Sequence, residues 1–183
     1  MDYQESIIEH YKKNWNQEPN IHYWDRGPAN KLPYDFRVLE FAPNKERDTW
    51  TYSTCCMSQE ADKSRIELHM FSSHQCHELI ELLTMAAYFH RTSEKLDLNH
   101  TIYFGKPLVK DSKCNYGFIS LPYLDGPELE NLNFANKVIK FYWLIPITED
   151  EAKFKEKNGV DKLEELFEVK ELNYLDNYRS SLT

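Results

Sequence analysis

At 183 residues, 14% of them aromatic, the chain carries enough apolar surface for a folded domain across residues 1–183 and does not read as a disordered segment. Its 30 acidic against 22 basic residues leave a net charge of −8, which disfavours direct nucleic-acid binding and attraction to an anionic membrane, and suits a basic protein partner. No stretch approaches the ~20 apolar residues of a membrane-spanning helix, and M-D-Y-Q-E lacks the apolar core of a secretory signal, so a cytoplasmic location is expected.

Tyr3, Ile7, Ile8, Tyr11 and Trp15 recur at helical spacing and predict an amphipathic helix over 3–15. Residues 19–33, with Gly27-Pro28 inside, read as a connecting loop that Tyr23-Trp24 would anchor. Three strands are expected next. The first, 36–41, is short. The second, 48–57, alternates Trp50, Tyr52, Thr54 and Cys56 against Thr49, Thr51, Ser53 and Cys55. The third, 65–71, places Ile66, Leu68 and Met70 inward and Arg65, Glu67 and His69 outward, and the polar link 58–64 makes an antiparallel hairpin with the second. Adjacent Cys55 and Cys56 should point to opposite faces. None of the four cysteines forms a C-x-x-C pair, so reduced thiols are expected.

Ser72 to Gln75 has capping-box spacing ahead of the main helix, whose stripe is Cys76, Leu79, Ile80, Leu83, Ala86 and Ala87, ending near His90. Strands follow at 101–104 and 116–124, separated by a polar loop, and a second loop runs over 125–136. Val138 to Ile145 is apolar except at Lys140, as a strand covered on both faces would be, and Pro146 should end its pairing. Thr148-Glu149-Asp150-Glu151 spells a capping box, Asn158-Gly159 a helix stop, and Val160, Leu163, Leu166 and Phe167 the stripe of a last helix. The tail from 172 should dock through Tyr174, Leu175 and Tyr178 or fray.

The string F-Y-W-L-I-P-I-T-E-D-E-A-K-F-K-E-K-N-G-V-D-K-L-E-E-L-F resembles the C-terminal signature of the suppressor of fused domain family. The likeness extends back through Asn99-His100-Thr101-Ile102 and Gly117-Phe118-Ile119-Ser120-Leu121. It implies an α+β fold: an α/β sandwich with a largely antiparallel mixed sheet covered by helices, non-catalytic and protein-binding. Animal members carry a further C-terminal region and grip a short peptide of Gli transcription factors. The positions matching their peptide contacts are Tyr88, late in the main helix, and Asn99 before His100, where those members have an aspartate. Stand-alone bacterial members are associated with toxin loci and look like immunity proteins or antitoxins. The resemblance thus implies a cytoplasmic, acidic protein that neutralises a cognate, basic toxin, such as a nuclease, without a cofactor.

Two other readings stand beside it. One is a regulatory adaptor that sequesters a cellular protein by strand addition, with 101–104 as the exposed edge. The other is a metal-dependent enzyme built on His69, His74, Cys76 and His77, where His74 and His77 are three apart. Against that enzyme, Cys76 belongs to the apolar stripe, so no metal is expected. The five glycines are too scattered for a phosphate-cradling loop. Among the acids, Glu151 and its neighbours Glu149 and Asp150 suit a helix N-terminus, and Glu164, Glu165 and Glu168 form a further acidic run. Asp125, Glu128 and Glu130 lie in a long loop with no capping role, and for that reason they join Tyr88, Asn99 and His100 as expected partner contacts.

Overall fold

The computed structural model describes residues 1–23 and 30–183, so Trp24 and the Gly27-Pro28 turn lie outside the described residues. In order, the elements are α1 (Tyr3–Trp15), β1 (Asn20–His22), β2 (Arg37–Phe41), β3 (Trp50–Cys55), β4 (Arg65–Ser72) and α2 (His77–Thr92). Then come β5 (Thr101–Tyr103), β6 (Cys114–Ser120), α3 (Pro127–Glu130), β7 (Asn131–Phe134), β8 (Lys137–Thr148), α4 (Glu149–Asn158) and α5 (Val160–Val169). The strands form one sheet ordered β1-β2-β3-β4-β8-β6-β5, with β7 also paired to β8. Among the described residues only β4 and β8 run parallel; the other pairings are antiparallel. The fold is therefore α+β, with a largely antiparallel mixed sheet between helices.

β8 explains why both faces are covered. Tyr142 and Leu144 enter the cluster beneath α2, together with Tyr52, Leu68 and Met70. Ile139 and Phe141 enter a second cluster with Tyr3, Ile7, Tyr11 and Trp15 of α1. Trp143, Ile145 and Ile147 enter a third with Leu163 and Phe167 of α5. Side chains alternate across a strand, so a strand flanked by helices on both sides reads as a continuous apolar run.

Double coverage also overturns an expectation for β4. Arg65, Glu67 and His69 face away from α2 as predicted, yet all are buried, at 3%, 0% and 0% exposure, because α1 and its neighbours cover that face. The Arg65 guanidinium lies over the Tyr3 ring, 5.5 Å from its centroid. His69 meets Trp15 edge-on at 5.7 Å.

Other corrections are local. Asn20 to His22, read as loop, pairs with β2 and forms the sheet edge. Residues 127–134, read as loop, form α3 and β7, which lie against α1 and β8. Ser72 and Gln75 form no capping box. Ser72 belongs to β4, and α2 starts at His77 after Cys76, whose N–H donates to the Tyr52 hydroxyl at 2.8 Å. Pairing does not stop at Pro146 but continues to Cys114 opposite Thr148. β4 pairs with β8 only as far as Trp143, and the Pro146 carbonyl accepts from Arg179 instead of from β6, so the missing N–H falls on a side with no strand to bond. Cys55 and Cys56 share the α1 cluster, their sulfurs 3.9 Å apart as hydrogen-bonded thiols without a disulfide, because Cys56 leaves the strand at φ +63°. Tyr178 is exposed; the tail docks instead through Tyr174, Leu175 and the buried Arg179.

The C-terminal signals hold as read. Thr148 Oγ1 accepts from the Glu151 N–H at 3.3 Å, and Glu151 accepts from the Thr148 N–H at 2.9 Å. Gly159, at φ +91°, separates α4 from α5.

Candidate partner-binding site

The six residues expected to meet a partner fall on two separate parts of the molecule. Tyr88, Asn99 and His100 gather where the C-terminal end of α2 meets β5. Asn99 is exposed and holds a left-handed backbone at φ +69°, which asparagine tolerates better than most residues. Its N–H donates to the Ile119 carbonyl at 2.8 Å, and the His100 carbonyl accepts from the Ile119 N–H at 2.9 Å. These two bonds extend the β5–β6 ladder by one step and aim Asn99 and His100 into a crevice of about 540 Å³ against α4. Across it, Lys155 Nζ donates to Thr101 Oγ1 at 2.9 Å, and burial pushes its ammonium down from the ordinary value. Tyr88, half-buried, lines a smaller cleft of about 170 Å³ with Met85, Tyr103 and Lys106. Phe89 borders both, so α2 connects the two hollows. Tyr103 in β5 is 57% exposed at the sheet edge.

The acids of the second group lie beside α1, on the face opposite α2. Glu128 is exposed and Glu130 half-buried on α3. Asp125 differs from both, since its side chain is only 2% exposed. It accepts from Trp15 Nε1 at 2.8 Å and pairs with Arg47, while His69 Nε2 approaches its other oxygen at 3.4 Å without hydrogen-bond alignment. Burial alone would raise the Asp125 carboxyl, but His69 and Arg47 outweigh it and hold the group below its ordinary value. The premise that Asp125 lacks a structural role therefore fails. It ties α1, β4 and the 42–49 loop together. Arg47, which the sequence reading passed over, completes this seam by lying 5.4 Å from the Trp15 ring and 5.2 Å from that of Phe71.

The His69, His74, Cys76 and His77 set does not converge. His69 lies among Trp15 and Phe71 on one face of the sheet, whereas Cys76 enters the core cluster on the other. His74 and His77 are exposed at the turn into α2. Among the described residues no group of three or more His, Cys, Asp or Glu side chains is arranged to hold a metal ion.

The family model for suppressor of fused protein matches residues 33–180. The chain belongs to the suppressor of fused family. Over its whole length it superposes on a solved suppressor of fused homologue from Neisseria gonorrhoeae FA 1090, with a TM-score of 0.87, 31% identity and 98% of that chain covered. The suppressor of fused fold also recurs in the Sufu–Fu complex (TM-score 0.72, 15% identity, 98% of this chain and 92% of that one). Drosophila Suppressor of Fused gives 0.70 at 16% identity, and the present chain spans about half of it, 51%. Immunity protein YqcF of Bacillus subtilis (strain 168) is 38% identical over 61 residues, a match covering 33% of this chain and 32% of that protein.

Proposed function

We propose that this member of the family is an immunity protein that neutralises a cognate toxin by binding it, without catalysis. The observation that carries this reading is the 38% identity to immunity protein YqcF, in a chain that belongs to a family with a protein-bound member among its solved structures. The net charge of −8 suits a basic toxin such as a nuclease. The contact is assigned first to the hollows at Tyr88, Asn99 and His100, with Glu128 and Glu130 adding long-range attraction from the opposite face.

The test is co-expression with each toxin candidate that the neighbouring genes encode. Cells should survive toxin induction when the protein is present, and the two purified proteins should form a stable complex. Death of co-expressing cells together with absence of a complex overturns the reading. A second reading, an adaptor that takes a partner strand on its sheet edge, is favoured by the exposed position of β5. It predicts capture of a cellular protein in the absence of any toxin.

A further inference from the structure

A third concavity is lined by none of the six residues considered above, although Leu124 in its wall directly precedes Asp125. It is a groove of about 850 Å³ between α5, the start of the tail and the second half of β8. Its floor is apolar, formed by Phe118, Trp143, Ile145, Phe167 and Tyr174. Its rim is acidic, with Asp161, Glu164, Glu165, Glu168 and Glu171, and no Lys, Arg or His lines it among the described residues. All of these acids but Glu164 are exposed. Glu164 is held by the chain, accepting from Ser120 Oγ at 3.1 Å and from the Tyr123 hydroxyl at 3.5 Å. Lys162 pairs with Glu165 at 2.5 Å from outside the groove, and among the described residues no salt bridge engages the other rim acids.

The acidic run alone has an ordinary explanation, as the solvated side of α5. A second observation comes from the floor. Trp143 is 6% exposed, and its indole N–H is buried without an acceptor among the described residues. Buried donors are nearly always paired, and an indole N–H can only donate. The unused donor marks a floor that the chain does not complete by itself, and because the N–H has no open surface, an occupant meets the Trp143 ring. Tyr123 and Leu124, exposed at 60% and 51%, extend the apolar surface at one end.

We infer that this groove receives a basic segment of the partner protein. An apolar side chain would sit on the Trp143 and Phe167 floor, and Lys or Arg side chains would meet the α5 carboxylates. The inference rests on the protein-binding reading above and gives that reading a second contact surface. Charge complementarity selects the occupant: a purely apolar segment would leave the rim unpaired, and an acidic one would be repelled.

The probe is a short synthetic peptide alternating Lys with Leu, compared with one in which Gly replaces Leu and one in which Glu replaces Lys. The intact protein is titrated with each while its indole N–H resonances are followed by NMR, with Trp143→Phe identifying the Trp143 signal. The Lys-Leu peptide should move the Trp143 resonance and those of α5. It should bind about tenfold more weakly to the exposed-rim variant Glu165→Lys, Glu168→Lys, Glu171→Lys, whose fold is checked by its unchanged remaining spectrum. Shifts centred elsewhere, equal affinity for that variant, or equal binding of the Gly peptide would overturn the groove assignment. So would Trp143 signals that move with protein concentration alone, which would mean that a second copy covers the surface. Toxin protection is scored separately. Protection that survives the rim variant without peptide binding removes the groove and leaves the immunity reading; peptide binding without protection does the reverse.

Discussion

Glu67 shows how far burial displaces a single residue's chemistry in this protein. Its carboxyl is fully buried under α1, and burial pushes it up to about 8, against hydrogen bonds from Thr54 and from the Met57 and Ser58 N–H groups. Thr54 Oγ1 donates at 2.5 Å, and the Met57 and Ser58 N–H groups donate at 3.2 and 3.4 Å, so the side chain holds the turn that follows β3. In the unfolded chain the same group titrates at about 4.5. Below that value both states are protonated and the contribution to stability is complete. As pH rises toward 8 the unfolded chain has already lost the proton that the fold retains, so stability falls by at most about 1.4 kcal/mol per pH unit. Glu67→Gln keeps the shape and the acceptor oxygen but cannot titrate. Urea midpoints for the two proteins, followed from pH 5 to pH 8, should fall more steeply for wild type. Parallel lines would show that Glu67 is ionised throughout.

At the scale of elements, the last strand, α4 and the tail act as one unit. Glu151 caps α4 and is 0% exposed; Arg179 Nη1 and Nη2 grip its two oxygens at 2.5 and 2.8 Å, and the Leu182 N–H adds a bond at 3.0 Å. Burial alone would raise the Glu151 carboxyl, but Arg179 and the Thr148 N–H hold it below its ordinary value. The pair docks the tail, and Arg179 also satisfies the Pro146 carbonyl. Arg179→Ala strands a buried carboxylate, for which the expected loss is about 3–5 kcal/mol, read from denaturant unfolding. The double change Arg179→Met, Glu151→Gln removes both charges at similar volume and should recover part of that loss. Equal losses for the single and double variants would assign the cost to packing instead of to the unpaired charge.

For the whole molecule, acidic charge is spread over several surfaces, the concave ones included. The net −8 surrounds a sheet with helices on both faces; the acids on α3 and α5 line neither of the hollows at Tyr88, Asn99 and His100, although Glu94, Glu149 and Glu156 line the Asn99 crevice. Exposed charges of this kind act mainly on association rate, over a Debye length of about 10 Å at 0.1 M salt and about 3 Å at 1 M. Association with a basic toxin should therefore slow as salt increases. Glu128→Lys with Glu130→Lys should slow it further at low salt, converge on wild type at high salt and leave melting unchanged. Identical rates for variant and wild type at low salt would take α3 out of the encounter. Asp125 is left out of that variant because its partners, Arg47 and Trp15, make it part of the core.

Where the physics is local, the sequence by itself determined the outcome. The spacing of Tyr3, Ile7, Tyr11 and Trp15 makes α1; the Val138–Ile145 run makes the central strand; Thr148 with Glu151 caps α4, and Gly159 ends it. Each rests on residues a few positions apart, so its pattern can be read without knowing what packs against it. Tertiary structure alone decided the sides that polar residues face. Alternation assigns Arg65, Glu67 and His69 to one face of β4, but only the arrival of α1 makes that face interior. Asp125 reads as a loop acid until Arg47, 78 residues away, meets it, and Arg179 reads as part of a tail until Glu151 does, 28 residues back. The candidate surfaces divide in the same way. Tyr88, Asn99 and His100 were named from the family resemblance, and the tertiary structure places them at two neighbouring hollows. The groove was not legible, because its floor comes from β6, β8, α5 and the tail, and its acids in the sequence are those of an ordinary solvated helix. Which residues share a cavity depends on chain closure over long separations, and no local pattern encodes it.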